Sequence, residues 1–293
     1  IMNKKAIFTI SKAGSQGKSF IASLLLEHLR IRKGVPVGAY LCDLSVGHDI
    51  LLSRYGQRDE YDTLLENQNP MTGVFSLDLY CQQLLSDDAF RVKQYQEKIN
   101  NEFISALNND DADVVLFDIP ATHLSDLYAK AFNSLEEFLE IIEMCGRDVY
   151  FVMPLGDKKS LESIKNVYSN TKKTNINYVV VVNVGVLKDG NSPESWHADD
   201  YYKSMSNTGR YSEMELPDFS KKPEIFTLTE RLAFSNFVDN SETDKPVLKA
   251  SNKNLENGMR LNLALNNLFI GYRHLDGSMS SVFSDIDNIF SKE

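Results

Sequence analysis

The chain lacks any apolar run near the about 18 residues that a membrane-spanning helix requires, so no such span is expected. Cysteine is scarce. Cys42, Cys81 and Cys145 are the only three, odd in number and far apart, which argues for buried free thiols in a reducing compartment over disulfides or metal ligands. Positive charge is in the minority: Lys and Arg total 31 against 41 Asp and Glu, a net charge of −10. That balance argues against a broad surface for nucleic acid or anionic membrane. The five histidines, His28, His48, His123, His197 and His274, show no metal-binding spacing, and no Ser-His-Asp or Cys-His set can be argued. His28 is expected on a helix surface. Neither an internal repeat nor a low-complexity tract is present, and no secretory leader is read, so the cytoplasm is the expected compartment. What remains is ordinary for a globular chain, with 42% hydrophobic and 25% charged residues, and 293 residues suffice for one large core or two modest ones.

One stretch carries the chemistry. Ala6 to Ile10 reads as a buried strand, Ser11 to Ser19 as a small-residue loop, and Phe20, Ile21, Leu24, Leu25 and Leu29 open a helical pattern. Strand, glycine loop and helix in this order are the setting of a phosphate-binding loop. Glycines let the backbone close around phosphate oxygens with its N–H groups inward, and the helix N-terminus adds partial positive charge. Gly17-Lys18-Ser19 fits the end of the pattern G-x-x-x-x-G-K-[ST], while Lys12 stands at its first glycine and Gly14 is an alternative glycine inside the loop. Gly14, Ser15, Gln16, Gly17, Lys18, Ser19 and Phe20 form the expected phosphate-holding set. Lys18 would reach the β- and γ-phosphates and the Ser19 hydroxyl would ligate Mg²⁺. A guanine reader of N-K-x-D type is absent, since Val184, Gly185 and Val186 follow Asn183, and this favours ATP.

Along the chain, the first helix is expected over about Lys18 to Arg32, with Gly34 just beyond its end, and a second buried strand over Val35 to Cys42, closed by Asp43. Short helical pieces are expected around Asp49–Tyr55 and Tyr61–Leu65, and a short strand at Val74–Leu79. A helix over Ser86–Asn108 carries Phe90, Tyr95, Ile99, Phe103, Ile104 and Leu107 as its apolar stripe. Asp113 to Asp118 is a strong strand, again closed by an aspartate. Helix Ser134–Cys145, strand Val149–Met153 stopping at Pro154, helix Asp157–Thr171 and strand Ile176–Asn183 follow. Strands apolar on both faces, alternating with helices, imply an α/β, doubly wound, mostly parallel sheet flanked by helices. Residues 185–222 break the rhythm as a polar insertion holding Trp196, read either as packed on the core or as a lid or partner surface. Glu213–Leu216 is the expected last strand, and Phe226–Val238 and Leu255–Tyr272 are closing helices. The stripe Val282, Phe283, Ile286, Ile289 and Phe290 is expected to pack on the domain or a partner helix, because Asp285 and Asp287 do not suit a membrane anchor.

The loop, Asp43 at the end of the second strand and Asp118-Ile119-Pro120-Ala121 at the end of the third together resemble the ParA/MinD group of P-loop ATPases, nearest to StbB/TraL-like partition and transfer ATPases of conjugative plasmids. The resemblance covers about residues 4–240. It implies one P-loop NTPase domain over 1–293, with C-terminal helices in 250–293. It also implies Mg-ATP bound at the loop, an ATP-dependent homodimer, a protein partner, DNA contact at most indirect, and no membrane association. Asp118 would hold a metal-bound water, Asp43 would orient Mg²⁺ or the water near the γ-phosphate, and Asn183 would lie near the adenine. Catalysis would then rest on Lys18, Asp43 and Asp118, and the metal on Ser19, Asp43 and Asp118.

Two departures bear on turnover. Ala13 stands where the family has its signature lysine, and Ser45 where it has a second aspartate that orients the attacking water. Slow, partner-stimulated hydrolysis is therefore expected. The alternatives are an ATP-binding module without hydrolysis and a small-molecule P-loop kinase or ligase.

Overall fold

A computed structural model of the protein describes residues 3–14, 16–42, 50–61, 63–77, 88–121, 132, 134–187, 190–218 and 281–290. Among these, β1 (Lys4–Thr9), β2 (Val37–Leu41), β3 (Phe75–Ser76), β4 (Val114–Asp118), β5 (Arg147–Leu155), β6 (Ile176–Asn183) and β7 (Tyr211–Leu216) form one sheet in the order β3-β2-β4-β1-β5-β6-β7. Every neighbouring pair is parallel. The doubly wound α/β expectation holds. Its cause is visible in β2 and β4, every residue of which is buried, as helices must cover both faces of such strands.

One face carries α3 (Ala89–Leu107), α4 (Leu135–Met144) and α5 (Lys158–Thr171), which bury Phe103, Phe138, Ile142, Ile164 and Val167 against Phe8 and Phe117. The Phe8 and Phe117 rings stack at 4.9 Å, and Phe103 lies 4.8 Å from Phe117. The other face carries α1 (Lys18–Leu26), α2 (Ile50–Tyr55) and a terminal helix, α8, over residues 281–290. Two short helices, α6 (Pro193–Ala198) and α7 (Asp200–Ser206), lie between β6 and β7. There Trp196 is buried in the core, and its indole donates to Tyr211 Oη and Glu213 Oε2, both at 3.1 Å.

Several local expectations change. The first helix runs as α-helix only to Leu26 and continues to Arg32 as a π-helix, a widening that brings the consecutive residues Glu27, His28 and Leu29 all to the buried side. His28 is thus a core residue. Gly34 follows with φ of 66°, the left-handed turn expected beyond the helix end. Tyr61–Leu65 is no helix: the Asp59 carboxylate accepts the N–H groups of Tyr61 and Thr63, and Arg58 bridges Leu64, a side-chain turn that competes with helix. The first half of α3 is largely exposed, with Phe90 in the open, so its stripe begins at Ile99.

β5 continues through Pro154 to Leu155. The ladder to β1 makes its last bond from Ile10 N–H to Val152 C=O, and Pro154 faces the same side beyond that point, where no donor is needed. Cys42 is buried and Cys145 half-buried. The expected closing helices at 226–238 and 255–272, and Cys81, lie outside the described residues. Among those described, no helix is long and apolar enough to cross a membrane.

Candidate functional site

β1 and β4 lie side by side at the centre of the sheet and end together, Thr9 opposite Asp118. Thr9 Oγ1 donates to Asp118 Oδ1 at 2.8 Å, and Asp118 is fully buried. β2 ends beside them, with Cys42 N–H donating to the Asp118 C=O at 2.9 Å. These are carboxyl ends of parallel strands, where open α/β sheets bind their ligands.

From Ile10 the chain turns into the loop. Ser11 Oγ accepts the Ala13 N–H at 3.1 Å, and the Lys12 N–H donates to Ser163 Oγ of α5 at 2.9 Å. Gly17 is the N-cap of α1 with φ 89° and ψ 19°, a left-handed conformation that glycine adopts without penalty. This start differs from those of α3, α4, α5, α6 and α7. Asp88, Ser134, Asp157, Ser192 and Asp199 each cap their own helices through a side-chain oxygen. α1 has no side-chain cap and no acidic residue in its first turn. A helix start of this kind suits an anion. Lys18 is buried at 8% exposure, and its ammonium folds back across the loop to 3.5 Å from the Ala13 C=O.

Gln16 is buried. Its Nε2 donates to the Gly14 C=O at 3.2 Å and its Oε1 accepts the Asp157 N–H at 3.2 Å. Asn183, at the end of β6, donates from Nδ2 to the Gln16 C=O at 3.1 Å. Ser19 and Phe20 are half-buried in the first turn of α1, and the Ser19 C=O accepts the Ser23 hydroxyl at 2.8 Å. A cavity of about 580 Å³ adjoins the outer side of the loop, between Lys12, Ala13 and Gly14 and the α5 residues Lys159, Glu162, Ser163 and Asn166. Lys12 is exposed, and Ala13 is buried.

Thus Gly14, Gln16, Gly17, Lys18, Ser19, Phe20 and Asn183 come together around one loop, with Asp118 at the neighbouring strand end. Ser15 and Asp43 lie outside the described residues. Thr9, Gly156 and Asp157 belong to the same neighbourhood and were missed. Thr9 could have been found as a polar residue at the end of an apolar strand. Asp157 is legible as a helix start, but nothing local ties Gly156-Asp157 to Gln16, which lies 141 positions away from Asp157.

No protein-family model and no curated protein matches the chain. Solved structures that resemble it include a ParA family ATPase from Chlorobium tepidum TLS, 15% identical over 80% of this chain and 91% of that one, TM-score 0.47. A plasmid partition protein from Borrelia burgdorferi is 14% identical over 78% and 96%, TM-score 0.43. The MinC:MinD cell division protein complex of Aquifex aeolicus is 11% identical over 99% and 96%, TM-score 0.41.

Proposed function

We propose that the chain binds Mg-ATP at residues 14–20 and acts as a nucleotide-switched ATPase of the ParA/MinD kind. It would form a homodimer with ATP and serve, with a protein partner, in the partition, stability or transfer of plasmid DNA. The observation that carries this reading is the uncapped start of α1, with a left-handed Gly17 and the Lys18 ammonium laid across the loop.

The residues also suit Mg²⁺. Magnesium takes few protein ligands, all oxygen, alongside phosphate oxygens and water. Ser19 and the buried Asp118 carboxylate are of that kind, and Asp43 would be a third in the sequence reading. When bound, the metal neutralises phosphate charge. The chain's own part is positional: loop amides and Lys18 hold the phosphates, and Thr9 fixes the Asp118 carboxylate through Oγ1.

A second reading, ATP binding without hydrolysis, is favoured by Ala13, buried at 4% exposure where the sequence resemblance implies a signature lysine. Titration calorimetry with Mg-ATP, paired with phosphate release and light scattering, separates the two. The ATPase reading expects binding, slow release and an ATP-dependent rise in mass. Lys18→Ala is expected to weaken binding at least about 100-fold with the fold retained. Absence of heat with any adenine or guanine nucleotide would sink both readings.

A further inference from the structure

We propose that Gln16 is a positioning residue that turns the carbonyls of the phosphate loop away from the ligand and ties the loop to the turn between β5 and α5. This rests on the reading of the loop as a nucleotide site.

A loop that cradles phosphate must face it with N–H groups, and each carbonyl aimed inward would repel the anion. In this chain, four loop carbonyls are turned to donors of the protein itself. Ala13 C=O faces Lys18 Nζ at 3.5 Å, Gly14 C=O accepts from Gln16 Nε2 at 3.2 Å, Gln16 C=O accepts from Asn183 Nδ2 at 3.1 Å, and Gly17 C=O accepts from Ile21 N–H at 2.8 Å. Gln16 takes part in two of the four, once by side chain and once by backbone. Its remaining oxygen accepts the Asp157 N–H at 3.2 Å, so the amide has a fixed orientation.

The neighbours leave room for this arrangement and little else. A Cβ on Gly156 would stand 2.3 Å from Gln16 Oε1 and 2.7 Å from Val186 Cγ2. Gly156 is not among the glycines with positive φ, so space, not conformation, is what it supplies. A Cβ on Gly17 would stand 2.8 Å from Asn183 Nδ2. Asp157 also caps α5, whose Ser163 takes the Lys12 N–H. The loop is therefore tied to α5 on both sides of Gly14. Asn183 acts here as a strut of the loop, a role independent of any contact with the base.

The test is calorimetric binding of ADP and of adenosine to the full chain, with melting temperature as the fold control. Gln16→Ala is expected to weaken ADP about tenfold while leaving adenosine within about twofold, the loss of two hydrogen bonds that shape only the phosphate end. Gly156→Ala, which leaves the loop's own residues intact, is expected to do nearly the same. The double variant is expected to bind little worse than Gln16→Ala alone, since removing the amide removes the closest group the new methyl strikes and leaves only Val186, which is outside the loop. Should the alanine variant not fold, Gln16→Glu serves, keeping the acceptor for Asp157 and losing the donor to Gly14. ADP binding within about twofold of the wild type by Gln16→Ala or its substitute would overturn the proposal. So would an equal loss of ADP and adenosine, or additive losses in the double variant. A wild-type chain that binds no ADP would instead end the nucleotide reading on which the proposal rests.

Discussion

The two ends of the first helix are built on opposite principles. At its start, Gly17 stands in place of a capping side chain, the first turn contains no acidic residue, and a lysine folds back across the loop. At its far end the cover comes from the chain itself. The π-helix Glu27–Arg32 buries Glu27, His28 and Leu29, and α8 seals it with Val282, Phe283, Ile286, Ile289 and Phe290, all buried. His28 stacks on Phe283 at 4.7 Å, Arg32 lies 4.1 Å over the same ring, and Phe290 meets Tyr150 of β5 at 5.1 Å. Asp287 accepts from both His28 and Lys33 at 2.8 Å. Arg30 donates to the carbonyls of Val37, Pro70 and Gly73, and burial pushes its guanidinium down to about 10. The start of the helix leaves its first N–H groups without a side-chain cap, as the proposed phosphate site requires. An end meant for stability supplies its own apolar cover and its own counter-charge.

The comparison can be broken at either end. The largest effect is expected from Ile286→Asp, which puts a carboxylate where the side chain is fully buried. It should cost about 3–5 kcal/mol of unfolding free energy in denaturant titration. If the ends are independent, ADP affinity of the folded fraction stays within about twofold; a larger change would show that α8 reaches the loop through α1.

Gly17→Ala is next. It forces an alanine to φ 89° and its methyl to 2.8 Å from Asn183 Nδ2. A stability loss of about 1–2 kcal/mol is expected, with ADP affinity lower by about tenfold or more. Here the binding loss should exceed what stability alone accounts for, the reverse of Ile286→Asp.

The smallest effect concerns pH. Burial pushes the His28 imidazole below its ordinary 6.5, outweighing the pull of Asp287. Burial would raise the Asp287 carboxyl, but the hydrogen bonds from Lys33 and His28 prevail and hold it below 3.8. Both groups hold fewer protons folded than unfolded. Their contribution is full above those unfolded values and is lost as pH falls, first below 6.5 for His28 and then below 3.8 for Asp287. Asp285, pushed up by burial, acts in the opposite sense. Asp287→Asn is expected to cost about 0.5–1 kcal/mol at neutral pH and to flatten the lower part of the acid limb, read as melting temperature against pH. Nucleotide affinity should not follow it.

Much of the fold was legible because β4 and β6 are runs of apolar, β-branched residues, which only a sheet covered on both faces can use. The helix starts at Ser134 and Asp157 were legible from capping residues. The misreadings share a cause. Periodicity reports which residues are apolar, and a neighbour decides which are covered: Phe90 stays 69% exposed, while His28 is covered by α8. Pro154 reads as a strand end because it lacks a donor, but β1 has already stopped at that point and none is needed.

Sequence alone determined that a strand, a glycine turn and a helix with Lys18 at its head would be contiguous, since bonds between neighbours enforce it. It also placed an aspartate at the close of another apolar strand. Only the tertiary structure decided that Asp118 would stand beside Thr9, that Asn183 and Asp157 would grip Gln16, and that α8 would seal the opposite end of the first helix. Those pairings join residues up to 259 positions apart, as in His28 with Asp287. No local preference encodes them; they follow from strand order and from which apolar faces must be covered together.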